Sequence, residues 1–328
     1  MRRRDLLAIG LVAGTSKGFV LRSSFAQGAY PTRPIRLIIP FPPGGGFDAI
    51  GRPWAEKIQP RLGTVVVENE GGGGSSLGAS TVAHAQPDGY TILLGGSSTH
   101  ITEAILKTRP LYDPMKDLKP ISNIALSAFA IAVNPSVPAN TLQEFIDYDN
   151  ANRGKLSYGH AGIGSLNHLT GELFKSLAGL PDLVQVPYRG SGPATADTIA
   201  GHVAMVTPAV TGQLIAYHRT GKLRILAVTS PARLAAAPDL PAAVETLQGM
   251  TSQQCIGLFA PARTPVAIVD QIARANHNAL AEPDYQKMLV ETGFVPDLDS
   301  SPAKFQRLIE DEIVRWTPIV RALDIKID

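Results

Sequence analysis

Gly74-Ser75-Ser76-Leu77-Gly78 has the Gly-x-Ser-x-Gly spacing of a hydrolase nucleophile, with Ser76 in the reactive place. That chemistry needs a strand running straight into a sharp turn, plus a base and an acid that orients it. Here Glu70 and four glycines separate Ser76 from the preceding β-branched run. His277 and Asp270 complete a triad in name only, since both fall on one helical stretch. The pattern therefore reads as a chance match, and no catalytic residue is assigned. His168 and Glu172 stand four apart on one predicted helix face, a spacing that two metal ligands can use. A structural hydrogen bond explains the pair more simply, and the other histidines show no ligand spacing, so no metal is expected. Gly162-Ile163-Gly164 lacks the third glycine of a dinucleotide fingerprint, because Asn167 stands there. There is no Walker loop either, so no cofactor is expected.

The chemistry that remains belongs to the backbone. Four joints are rich in Gly, Ser and Pro: Phe41-Pro42-Pro43-Gly44-Gly45-Gly46-Phe47-Asp48, residues 71–76, Ala161-Gly162-Ile163-Gly164-Ser165, and Arg189-Gly190-Ser191-Gly192-Pro193. Each stands between a predicted strand and a predicted helix. Glycine lets the backbone approach a ligand, and a helix start offers unpaired N–H groups with a partial positive charge. Each hydrogen bond to a charged group contributes about 1.5–3 kcal/mol, so three or four support micromolar binding of a small anion. Any one of these loops alone is only a turn; four of them together frame an anion site.

The elements that must position these loops follow from periodicity. β-Branched runs at 35–39, 64–68 and 91–94 alternate with helical stretches at 49–62 and 77–85. After a long apolar stretch at 121–133 the alternation resumes, with helices at 141–152, 166–178 and 194–201 and strands at 156–158, 183–186, 203–206 and 224–228. Helices at 266–281, 283–292 and 302–322 close the chain, and Thr264-Pro265 and Ser301-Pro302 mark two of their entries. This order predicts βαβ units with mostly parallel sheets, in two α/β units joined by extended crossovers near 121–133 and 250–261. Pro53 falls inside the first predicted helix and is expected to kink it.

Composition bounds the rest. At 328 residues the chain is long enough for two domains, and its 44% hydrophobic content is ordinary. Met1-Arg2-Arg3-Arg4 ahead of a short apolar run reads as a twin-arginine-like export signal, cleaved near Ala26 after the small residues Ser24 and Ala26. The run is too short to span a bilayer. Removing 1–26 takes away Arg2, Arg3, Arg4, Lys17, Arg22 and Asp5, and the formal charge goes from +2 to −2. A nucleic-acid partner is therefore not expected. Cys255 is the single cysteine, which excludes an internal disulfide and a lipid anchor at the signal's end.

Motifs in order along nearly the whole mature chain carry a family resemblance. They include Tyr30-Pro31-Thr32-Arg33-Pro34-Ile35, Pro40-Phe41-Pro42-Pro43-Gly44-Gly45-Gly46, Pro87-Asp88-Gly89-Tyr90-Thr91-Ile92-Leu93, Ser97-Ser98-Thr99-His100, Gly154-Lys155-Leu156-Ser157-Tyr158-Gly159, His168-Leu169-Thr170-Gly171-Glu172-Leu173-Phe174, Val186-Pro187-Tyr188-Arg189-Gly190-Ser191 and Gly257-Leu258-Phe259-Ala260-Pro261. In these the chain resembles the Bug-type substrate-binding proteins of tripartite tricarboxylate transporters. The resemblance implies a two-lobed periplasmic binding protein fold (type II), with helices flanking the sheets and two crossover strands as a hinge. Lobe 1 is expected over 27–127, lobe 2 over 128–252, and a return to lobe 1 over 253–328.

The resemblance also implies a non-enzymatic, monomeric periplasmic protein that closes on a small organic carboxylate and serves a two-subunit membrane permease. A role presenting the ligand to a sensor is the alternative. The loops around Pro42–Asp48 and Ala161–Ser165 are implied to grip the carboxylate. The expected ligand-binding set is Phe41, Pro43, Gly44, Gly45, Gly46, Phe47, Asp48, Ser98, Ala161, Gly162, Ser165 and Thr207, with Asp48 and Ser165 also read as helix caps. The chain departs from the family pattern at Phe47 (usually Thr), Ser76 (Asn), His160 (Ser), Val206-Thr207-Pro208 (often ending Phe-Asp) and Cys255 (often Trp). The ring at Phe47 and the missing acid favour an aromatic or otherwise apolar carboxylate.

Overall fold

Three strand-to-helix units start the first sheet. Ile35–Ile39 (β1), Val65–Asn69 (β2) and Thr91–Gly96 (β3) run in parallel, with β1 in the middle. Each leads into a helix: Gly46–Leu62 (α1), Ser76–Ala83 (α2) and Ser97–Ile101 (α3). Ile35, Leu37, Ile38 and Ile39 have no exposed surface, as a continuous β-branched run predicts for a strand covered on both faces. The computed structural model describes residues 30–327, so the expected export signal lies outside the described residues.

The chain then crosses to a second sheet. Leu118–Ala128 (β4) passes through Phe129 into Ala130–Val133 (β5). The second sheet has the order β7-β6-β8-β5-β9, built from Ser157–His160 (β6), Val184–Pro187 (β7), Met205–Val206 (β8) and Arg224–Val228 (β9). Leu142–Ala151 (α4), Leu166–Ala178 (α5), Ser191–Ala200 (α6) and Gly212–Arg219 (α7) accompany it. Gln253–Pro261 (β10) returns to the first sheet between β3 and β4, and Phe294–Pro296 (β11) adds its edge. Val266–Leu280 (α8), Pro283–Glu291 (α9) and Pro302–Ala322 (α10) complete the chain.

The two-sheet α/β architecture is as the alternation predicts, but the strand directions are more mixed. β2-β1-β3 and β7-β6-β8 are parallel. All pairings of β4, β5, β9, β10 and β11 are antiparallel. The cause is the crossovers: β5 and β10 enter each sheet from the other lobe, against the direction of the βαβ units. The first helix is not broken by Pro53 or by Pro60; α1 runs through both. Pro53 is half-buried and Pro60 exposed, so the carbonyls left without an N–H partner are on the outer side, where water can serve them.

The crossovers are fastened to one another. Phe129 N–H donates to Thr229 Oγ1 (2.9 Å), and Thr229 N–H donates to Phe129 O (2.8 Å). Thr229 Oγ1 also donates to Ser252 O (2.6 Å), and Ser252 Oγ bonds Thr170 Oγ1 (2.7 Å). α10 is shared between lobes. Phe305 and Ile309 bury in a core with Phe259 of the first sheet, whereas Trp316 and Val320 bury in a core with Phe129 and Phe174.

Candidate functional site

Five strand ends feed helices on the face where the lobes meet, the place an open α/β sheet reserves for ligands. The helix starts there are not equivalent. α5 is capped by two hydroxyls: Ser165 Oγ accepts from His168 N–H, and Ser98 Oγ, from the other lobe, accepts from Leu166 N–H (3.2 Å). α1 and α6 begin at Gly45 and Gly190, which supply no side-chain cap. Their first turns therefore keep N–H groups that no side chain caps.

These two starts face each other across the lobes. A Cβ placed on Gly45 would stand 3.0 Å from Ser191 Oγ, and one on Gly46 would stand 2.7 Å from Ala209 Cβ. Between them lies a space of about 10 Å³, room for roughly one water. Phe41, Phe47, Ala161, Asn167, Ser191 and Gln254 line it, and among the described residues no acidic side chain does. Gln254 is 2% exposed and its Oε1 has no hydrogen-bond partner. That oxygen is an acceptor, so a water or a hydroxyl on a ligand would complete its bonding. Phe41 and Phe47 pair at 5.1 Å between ring centroids and form the apolar wall.

The structure divides the expected residues. Gly45, Gly46, Phe41, Phe47 and Ala161 come together at the central space, and Pro43 and Gly44 line the groove that opens from it. Asp48 accepts from Gly44 N–H (3.2 Å), Arg52 and Asn69, so its carboxylate holds the loop. Ser98 is spent on the bond between lobes. Thr207 Oγ1 donates to Asn167 O and Thr207 O accepts from Asn167 Nδ2, both at 2.8 Å, which fixes Asn167 at the cavity.

The 161–165 loop turns its amides inward. Gly162 N–H donates to His160 Nδ1 and Gly164 N–H to His168 Nδ1, both at 3.3 Å. The two rings lie against each other, 4.6 Å between centroids and tilted by 35°. Burial lowers the pKa of both; His168 falls to about 3, with the charges of His160 and Lys175 adding to the effect. Both rings are thus neutral acceptors at neutral pH. Glu172 does not meet His168; it accepts from Tyr158 OH (2.6 Å) and pairs with Lys175. Sequence reasoning passed over Ser191, although its glycine loop was visible, and Gln254, whose role depends on the return of β10 beside β3.

Ser76 opens α2 with its hydroxyl buried and unpartnered, which is not the placement of an activated nucleophile. Ser75 before it has φ +104°, a region where non-glycine residues are strained. Ser75→Gly is expected to raise stability by about 1 kcal/mol, read as a higher urea midpoint; an unchanged or lower midpoint would show the hydroxyl to be structural.

A family model described as "Tripartite tricarboxylate transporter family receptor" matches residues 50–325. Among solved structures, the periplasmic binding protein BugD is 32% identical, with TM-score 0.86, covering 90% of this chain and 99% of BugD. MatC from Rhodopseudomonas palustris, with bound malate, is 30% identical with TM-score 0.84, covering 89% and 100%. An R. palustris protein with adipate is 30% identical with TM-score 0.87, covering 90% and 99%.

Proposed function

The chain belongs to the tripartite tricarboxylate transporter receptor family, and from that premise we propose that it captures a small organic carboxylate between its lobes, in the periplasm, for a two-subunit membrane permease. The observation that carries this reading is the opposition of the uncapped starts of α1 and α6, from different lobes, with the Gln254 side-chain amide on the wall between them. Binding across two lobes favours the closed form, because only there do both helix starts reach one anion. The malate and adipate held by two relatives support the carboxylate class. The Phe41–Phe47 wall and the absence of acidic groups at the cavity support an apolar or aromatic body rather than an amine-bearing one. In this reading the export signal is removed near Ala26, the protein is a monomer without enzymatic activity, and the lobes divide near 127 and 252.

The test is a thermal-shift and calorimetric screen of the exported chain against carboxylates, with Gly46→Val beside the parent. A ligand at a hundredfold its Kd adds about 2.7 kcal/mol of apparent stability. The valine meets Ala209 of the other lobe, so it acts as a wedge between the lobes and is expected to weaken binding at least tenfold. Absence of any carboxylate response, or equal affinity in the variant, would refute the pinch.

A further inference from the structure

We propose that the groove between α6 and α7 is the subsite for the ligand's body, and that Tyr217 is the residue that selects a carboxylate with a hydrocarbon or aryl body of about six carbons or more. This rests on the reading above and adds where the rest of the ligand goes. A carboxylate at the starts of α1 and α6 cannot place its body in the central space, which holds about one water. A groove of about 480 Å³ opens from the same residues, Gly45, Gly46, Ser191 and Ala209. That volume lies in the range of small-molecule sites. The cleft on the opposite flank, along residues 71–74 and Arg189, touches none of those four.

The groove's chemistry is asymmetric. Ile199, Leu214 and the Tyr217 ring supply apolar wall. Tyr217 OH accepts from Gln213 Nε2 at 2.9 Å, which helps hold the ring in place. Among the described residues Lys222 is the one charged residue lining the groove, with its Nζ 5.8 Å from the Tyr217 centroid. Ser191, Thr195, Thr211 and Gln213 line the rest; a mixed trough with one apolar wall, a cation and no carboxylate suits an anion with an extended body, and burying each added methylene on that wall should strengthen binding about fourfold.

The exported chain, Tyr217→Ser and Tyr217→Phe are titrated calorimetrically with acetate, butyrate, hexanoate, octanoate and 3-phenylpropionate. The parent is expected to gain about fourfold per methylene from butyrate to hexanoate. Tyr217→Ser is expected to flatten that rise and to weaken 3-phenylpropionate at least tenfold, with acetate unaffected. Tyr217→Phe keeps the ring and is expected to keep the chain-length dependence. Affinity independent of chain length in the parent, or an equal loss for short and long acids in Tyr217→Ser, overturns the subsite while carboxylate capture stands. No response to any of these five acids overturns the subsite, and carboxylate capture falls only if the wider screen is silent as well.

Discussion

Gly96→Ala is expected to cost about 4 kcal/mol or prevent folding, measured as the urea midpoint of the purified chain or as its loss from the soluble fraction. Gly96 ends β3 and pairs with Ile256 of β10. A Cβ there would lie 1.8 Å from the carbonyl oxygen of Cys255 and 2.8 Å from its carbonyl carbon. Both are backbone atoms in the middle of a six-stranded sheet, so no rotamer change relieves the clash. Moving β10 away would also break the bond from Cys255 N–H to Ser97 Oγ (3.0 Å). It would shift α3, whose Ser98 reaches across to α5. The φ of Gly96 is 165°, extended backbone that alanine accepts, so the whole effect is steric. A midpoint within 0.5 kcal/mol of the parent would show that β3 and β10 separate more easily than their close packing implies.

The same close approach explains what the sequence could and could not display. β1 and β2 are legible because a β-branched run bounded by Pro and Gly has no competing structure. α5, α8 and α10 are legible from their apolar periodicity, and Ser165 and Ser301 cap two of them as their types suggest. α3 is not legible. Ser97, Ser98, Thr99 and His100 form a polar run without a helical stripe, yet all are buried because the helix is wedged between β10, α5 and α10. α7 was missed for a related reason: Gly212 opens it and only Leu214 and Ile215 bury.

At the site, the loop from Phe41 to Gly46 announces itself by composition. The inward turn of the 161–165 amides does not, because it depends on two histidines that flank the loop and become acceptors only once buried. Gln254 is the extreme case. Nothing local distinguishes it from its neighbour Gln253, and its place on the cavity wall exists only after the chain has crossed between lobes twice. Side chains that owe their role to crossover geometry are the ones periodicity cannot find.

Buried histidines also carry the second large effect. Stability is expected to fall by about 4 kcal/mol between pH 7 and pH 5, from His100 and His168 at about 2 kcal/mol each. Burial pushes His100 down to about 4 and is the main cause of the fall of His168 to about 3. In the unfolded chain both return to about 6.5. Between 6.5 and those folded values the unfolded state binds protons that the native state refuses, so stability is full above pH 6.5 and is lost as pH falls. The loss levels off only below about 4 and 3 respectively. Asp149 and Glu312, raised by burial, act in the opposite sense at lower pH, because their native forms hold protons more tightly. Isolating the histidines therefore needs the double variant His100→Asn, His168→Asn. Asparagine can donate to Gly96 O as His100 Nδ1 does, and can accept from Gly164 N–H as His168 Nδ1 does. Denaturant midpoints at pH 7, 6 and 5 are expected to fall steeply in the parent and clearly less steeply in the double variant, where His160 and His218, also lowered by burial, leave a residual slope. Equal slopes would place the acid sensitivity elsewhere. Protonation of folded His168, which sets in as pH approaches 3, also removes the acceptor that holds Gly164, so hydrogen exchange at 162–165 is expected to rise there in the parent alone, after correction for intrinsic rates.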